Sequence, residues 1–104
     1  MAKSASEIRM DYKNAIRQAE SLEEIAKELR NTANRDFQDC ISEISYNWTG
    51  DNSTAYVSKC NKLKSKIIKT SDQLDRTATT IRQIAKSIYD AEMNALQIAK
   101  IRKY

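Results

Sequence analysis

A chain with one glycine and no proline has almost nowhere to stop a helix, and here the single breaker, Gly50, falls near the middle of 104 residues. It sits in Asn47-Trp48-Thr49-Gly50-Asp51-Asn52-Ser53-Thr54. That cluster of turn formers competes with helical hydrogen bonding and is the one convincing turn in the chain. The length allows one domain, so the sequence reads as two long halves joined at this point.

Both halves carry helical periodicity. In the first, apolar or small residues fall at Ile8, Tyr12, Ala15, Ala19, Leu22, Ala26, Leu29, Ala33, Cys40 and Ile44. In the second they fall at Tyr56, Cys60, Leu63, Ile67, Leu74, Ile81, Ile84, Ile88, Ala91, Ala95 and Ile98. Steps that alternate three and four place such residues on one stripe of an α-helix, whereas a strand needs period two. Ser4 followed by Glu7 fits a capping box, and Asp51, Asn52 or Ser53 is suited to cap the second helix. The predicted helices span about 5–46 and about 53–99, with a turn over about 47–52 and a short tail over about 100–104. Two patches, Asn31-Thr32-Ala33-Asn34 and Thr77-Ala78-Thr79-Thr80, are weak helix formers. Tertiary packing is expected to hold both in helix.

A short connection makes two helices antiparallel neighbours, so the predicted fold is all-α, a helical hairpin. Two helices share one seam only. Apolar residues beside the stripes, among them Ile16, Ile25, Phe37, Ile41, Val57, Ile68, Tyr89 and Leu96, widen the faces beyond what that seam covers. A second hairpin packing on the first, giving a four-helix-bundle dimer, is the expected remedy. Leu22, Leu29, Phe37, Ile44, Leu63, Ile67, Leu74, Ile81 and Ile88 are the candidate core and dimer stripe.

Charge is unevenly shared. Residues 1–50 hold 7 Lys/Arg against 9 Asp/Glu, and residues 51–104 hold 11 against 5. An acidic helix beside a basic one lowers repulsion across an antiparallel seam, so part of this asymmetry needs no outside partner. The densest basic stretch, Lys62, Lys64, Lys66 and Lys69, wraps around more than one helix face and reads as a solvated surface.

Cys40 and Cys60 lie ten residues either side of Gly50, at one level of an antiparallel hairpin. They suit either a disulfide, if the helices approach closely, or two buried thiols.

Enzymatic chemistry starts far behind. The chain has no histidine, which removes Ser-His and Cys-His nucleophile pairs and, with only two cysteines, the usual nitrogen-sulfur metal sites. One glycine leaves no phosphate-cradling loop. No catalytic residue, cofactor or metal ligand is assigned, and Asp36, Asp39 and Glu43 read as a solvated acidic face. The first twenty residues, with Glu7, Arg9, Asp11, Lys13 and Arg17, lack the apolar stretch of a secretory signal.

Two long helices joined at Trp48-Thr49-Gly50, in a chain near one hundred residues, resemble the WXG family of small bacterial type VII (ESX) secretion substrates. The resemblance covers essentially the whole chain. It implies a non-enzymatic secreted effector, co-substrate or export chaperone that forms a head-to-tail antiparallel homodimer, or a heterodimer with another WXG-like protein. It also implies an FtsK/SpoIIIE-type ATPase as the driving partner, with passage from the cytoplasm to the medium or cell surface by a Sec-independent route. Trp48 and Gly50 form the turn motif; a large amphipathic ring can cover a bundle end while glycine reverses the chain.

Members of the family, or their partners, commonly carry a C-terminal export signal in which Tyr is followed four residues later by an acid. Here Tyr89 is followed by Asp90 and Glu92, and Met93 takes the fourth place. Tyr89 and Glu92 still share a helix face and form the candidate export signal.

Two other functions compete. The sequence pI of about 9.1 and the Lys62–Lys69 stretch suggest nucleic-acid binding, but no motif supplies a recognition helix. A membrane-active amphipathic hairpin is the other, and an Ala-rich stripe poor in Trp and Phe argues against stable insertion.

Overall fold

The Ser4-x-x-Glu7 spacing opens a helix where it is expected to. The computed structural model describes residues 3–48 and 50–102, and its first helix, α1, runs Ala5–Asn31. The Glu7 amide donates to the Ser4 hydroxyl oxygen at 3.2 Å, and the Ile8 amide donates to the Ser4 carbonyl at 3.0 Å. The same hydroxyl donates to the Glu7 carboxylate at 3.3 Å, so the two side chains of the cap meet each other.

α1 does not continue as α-helix to the turn. Thr32–Phe37 form a π-helical segment, after which α2 runs Gln38–Asn47. The interruption falls on one of the two weak patches, Asn31 to Asn34, where side chains that compete with the backbone make a change of hydrogen-bond register cheap. The other patch lies within α3, Asp51–Arg102, which is α-helical throughout. There the Thr80 hydroxyl donates to the Arg76 carbonyl at 3.0 Å.

The π segment shifts the phase of α2. Ala26 and Ala33 are buried seven residues apart, but the next buried position is Ile41, eight residues on. Bonding from i to i+5 takes up one extra residue per turn, so Ile41 occupies the inward place that an unbroken stripe assigns to Cys40. Cys40 is exposed.

At the turn Trp48 is extended, with φ −108° and ψ 136°, while its amide still donates to the Ile44 carbonyl at 2.9 Å. Gly50 has φ +110°, the left-handed side that side chains resist. Thr49 lies outside the described residues. The Gly50 carbonyl accepts the Thr54 amide and the Thr54 hydroxyl, each at 3.3 Å, and the Ser53 hydroxyl at 2.8 Å. These bonds draw Asp51 into α3, which starts there instead of at residue 53 and ends at Arg102 instead of 99. Ser53 is therefore a buried donor inside the first turn and does not cap the helix by accepting an amide.

The fold is all-helical, two long antiparallel helices packed as a hairpin. Its contacts gather into two compact units, Met1–Leu22 with Arg76–Tyr104, and Glu23–Asp75. In the turn-bearing unit, Arg30 meets Asp72 and Asp75, Gln38 meets Lys64, and Trp48 meets Tyr56, so partner numbers fall as first-arm numbers rise. In the other unit Lys3 meets Glu92 and Tyr12 meets Tyr89, which is the same antiparallel sense.

Small residues make the seam. Ala26, Ala33, Ile41, Ser53 and Ser71 are buried in the turn-bearing unit, and Ile8, Ala19, Ala78 and Ala85 in the other. On α3 the inward positions Val57, Lys64, Ser71, Ala78, Ala85 and Glu92 recur every seven residues. They lie one residue beyond the predicted stripe positions Tyr56, Leu63, Ile84 and Ala91, a rotation of about 100°. Leu63, Ile84, Ile88 and Ile98 are consequently 51 %, 54 %, 51 % and 47 % exposed. Leu22, Leu29, Phe37, Ile44, Ile67, Leu74 and Ile81 are half-buried at the seam's flanks. Alanine and serine admit close helix approach, and the larger chains are pushed to either side. The buried Ser71 hydroxyl donates to the Ile68 carbonyl at 2.7 Å, so its burial leaves no polar atom unpaired.

Candidate functional site

The turn motif presents an open aromatic corner. The Trp48 and Tyr56 rings lie 6.1 Å apart between centroids, tilted by 48°. Trp48 is 56 % exposed and Tyr46 88 % exposed, so the indole lies against one neighbour and keeps a free face. A shallow hollow beside it is lined by Ser45, Trp48, Gly50, Ser53, Thr54 and Val57. A Cβ at Gly50 would meet nothing within 4 Å, so glycine is required there by backbone angle and not by space.

Behind this corner, Arg30 is the main polar tie of the turn-bearing unit. Its Nη2 donates to Asp72 Oδ1 at 2.9 Å and also to Asp75 Oδ2. These hydrogen bonds, to Asp72 first, raise the guanidinium pKa further. Lys64 Nζ donates to Gln38 Oε1 at 2.7 Å and is half-buried, unlike Lys62, Lys66 and Lys69, which are exposed. The basic stretch therefore divides into one seam residue and a solvated face. Cys40 and Cys60 are both free thiols, the first exposed and the second half-buried.

The candidate export residues lie in the other unit. Tyr89 packs on Tyr12 of α1, with centroids 5.1 Å apart and planes tilted by 46°. Lys3 Nζ lies 3.2 Å from Glu92 Oε2 and 2.8 Å from Asp11 Oδ2. Hydrogen bonds to Asp11, and then to Glu92, raise the Lys3 pKa. Asp90 is engaged separately, by Lys86 one turn earlier at 3.1 Å, and that bond raises the Lys86 pKa. A cavity of about 210 Å³ lies among these groups, with Ile8, Tyr12, Ile88 and Tyr89 in its wall and Lys3 and Glu92 at its lining.

Tyr89 and Glu92 thus share one face, as their spacing suggests. Sequence reasoning does not connect them with Tyr12 or Lys3. Tyr12 is visible there only as a stripe residue, and nothing local marks Lys3, whose role depends on the opposite helix. Among the described residues no group of His, Cys, Asp and Glu could hold a metal ion. None of the described helices is long and apolar enough to cross a membrane.

No curated protein and no solved structure matches the chain. The family model described as "Proteins of 100 residues with WXG" matches residues 7–93, a span that takes in the aromatic turn and the Tyr89–Glu92 patch, and the chain belongs to this WXG100 family.

Proposed function

We propose that this chain is exported by a type VII (ESX) machine as a paired helical hairpin, serving as effector, co-substrate or export chaperone, with Trp48/Gly50 and Tyr89/Glu92 as recognition ends. Proteins of the WXG100 family are non-enzymatic secreted substrates of type VII systems and typically dimerise. Family membership over residues 7–93 is the observation that carries the reading.

Pairing draws support from the apolar surface that the small-residue seam leaves outside. Tyr56 and Leu63 in one unit, and Met10, Ile84, Ile88, Ile98 and Ile101 in the other, are exposed. Such surface favours a partner that removes it from water, at about 25 cal/mol per Å² buried. A second copy of the chain or another WXG-like protein is suited to cover these residues. An FtsK/SpoIIIE-type ATPase then engages the recognition ends of the pair.

Deleting that ATPase in the native host tests the proposal. The protein is expected to disappear from the culture medium and accumulate in cells, and unchanged release would overturn the reading. Light scattering of the purified chain, alone and with a WXG-like neighbour, is expected to give the mass of a pair in one of the two samples.

A further inference from the structure

On α3 alone, Tyr89 and an acid one turn later would be a linear signal that any exposed helix could display. The surroundings of these residues are more specific. The Tyr89 ring rests on Tyr12 at 5.1 Å, and the Glu92 carboxylate is 3.2 Å from Lys3, which also holds Asp11 at 2.8 Å. The competing acid, Asp90, is tied to Lys86 on its own helix. Of the two acids that closely succeed Tyr89, Glu92 is joined to the first arm through Lys3, just ahead of α1, and Tyr89 is joined to α1 itself through Tyr12.

We propose that the export patch is a folded epitope shared by α3 and the start of the first arm, in which Tyr12 and Lys3 are positioning residues that fix Tyr89 and Glu92 for the secretion apparatus. The proposal rests on the reading of Tyr89 and Glu92 as recognition residues and names what orients them. A Tyr ring free to change rotamer, and a Glu with three side-chain torsions, must be ordered when a receptor binds. Contacts already made in the folded chain remove part of that cost. The receptor surface that fits is one with an apolar slot for a phenol ring beside a cation facing Glu92. The third-place acid is then no defect, because contacts from the first arm hold the rotamers of both side chains and so place phenol and carboxylate for the receptor.

The buried neighbour Ile8 and the capped start of α1 hold Tyr12 and Lys3 in place. The epitope therefore exists only while the first turns of α1 are docked. An unfolded or half-folded chain would not present it.

The test is secretion of the full chain from its native host, comparing Tyr89→Ala, Tyr12→Ala, Tyr12→Phe, Lys3→Glu and Lys3→Arg. Melting and light scattering of each purified variant accompany the assay. Tyr12→Ala and Lys3→Glu are expected to lower export by roughly three- to tenfold, the change in an equilibrium that one aromatic or ionic contact can produce. Tyr12→Phe, which keeps the ring contact, and Lys3→Arg, which keeps a cation beside Glu92, are expected to export normally. Export that falls only in step with the melting midpoint across these variants would assign Tyr12 and Lys3 a purely structural role and overturn the proposal.

Normal export of Tyr12→Ala and Lys3→Glu, with Tyr89→Ala impaired, would overturn the positioning role and leave the patch standing. Normal export of Tyr89→Ala would remove the patch itself. If Tyr12→Ala fails to fold, Lys3 decides: loss with Lys3→Glu and normal export of Lys3→Arg supports the proposal, and normal export of Lys3→Glu overturns it.

Discussion

Ala33 and Ile41 are successive buried positions of the first arm although eight residues separate them. Between them the π segment Thr32–Phe37 absorbs the residue that a seven-residue repeat cannot accommodate. Deleting Asn34 should convert this segment to α-helix with the later inward residues still in phase. The expected result is a native circular-dichroism spectrum and a melting midpoint within a few degrees of the parent. Deleting Lys27 instead, between Ala26 and Ala33, displaces Leu29, Arg30 and Ala33 from their places before the π segment can take up the shift. That variant should lose roughly 5–20 °C, the range expected when core positions are displaced by 1–3 kcal/mol.

Much of the fold is legible in the sequence because its signals are local. A lone glycine in a proline-free chain, together with Ser4 and Glu7, marks where helices start and reverse. Which face turns inward is harder to read. Large apolar residues such as Leu63, Ile84 and Ile88 dominate any periodicity count, yet Ser71, Ala78 and Ala85, one residue out of phase, form the seam. Hydrophobic weight marks surface that seeks cover, and the stripe does not say which partner provides it. Periodicity misplaces Cys40 for a second reason, since a change from α to π hydrogen bonding alters phase without altering composition. At the candidate site, Tyr89 and Glu92 are linked by helical spacing, whereas Lys3 and Tyr12 reach them only through tertiary contact.

The two classes of apolar position should respond oppositely to substitution. Ala26 is fully buried, so Ala26→Leu overfills the seam and should cost about 1–3 kcal/mol. Leu63→Ala and Ile84→Ala remove exposed side chains and should barely alter the intrachain seam. Their effect should emerge in association instead. Sedimentation across a range of concentrations is expected to show a weaker pair for the alanine variants, with a melting midpoint that depends more steeply on concentration.

Gly50 supplies a backbone angle. With φ +110° and open space where a Cβ would stand, Gly50→Ala introduces strain without a clash. A loss of about 1–2 kcal/mol is expected, read from urea midpoints at unchanged slope. A loss no larger than that of an exposed Ser→Ala change elsewhere would mean that the turn relaxes to a conformation open to any residue.

Alkaline pH should dissolve the lysine ties selectively. Lys3 and Lys86 hold their protons above the ordinary value of 10.5, through hydrogen bonds to Asp11 and Glu92 in one case and Asp90 in the other. A cation whose folded pKa is raised contributes fully below its unfolded value and loses that contribution as pH rises through the folded one. The difference in melting midpoint between the parent and a Lys3→Met, Lys86→Met double variant should therefore stay level between pH ~7 and ~9 and close above about 10.5. A difference already lost between pH ~7 and ~9 would assign the stabilisation to other groups. Because both pairs are solvent-facing, salt should shrink the same difference.

The two thiols give an independent reading of helix phase. Cys40 is exposed because the π segment turns Ile41 inward in its place, whereas Cys60 is half-buried on α3. A thiol reacts only when a reagent can reach its sulfur, so a short maleimide pulse on the native protein should label Cys40 well ahead of Cys60. Denaturant should equalise the two, since the difference belongs to the fold. In the Asn34 deletion Cys40 should stay reactive, because the inward place still falls to Ile41. Inserting one residue after Phe37 instead carries Ile41 past the seam and brings Cys40 into the inward place. Cys40 should then become protected from the reagent while the spectrum remains helical. Equal protection of Cys40 and Cys60 in the parent would mean that the first arm runs through Thr32–Phe37 without the extra residue being absorbed.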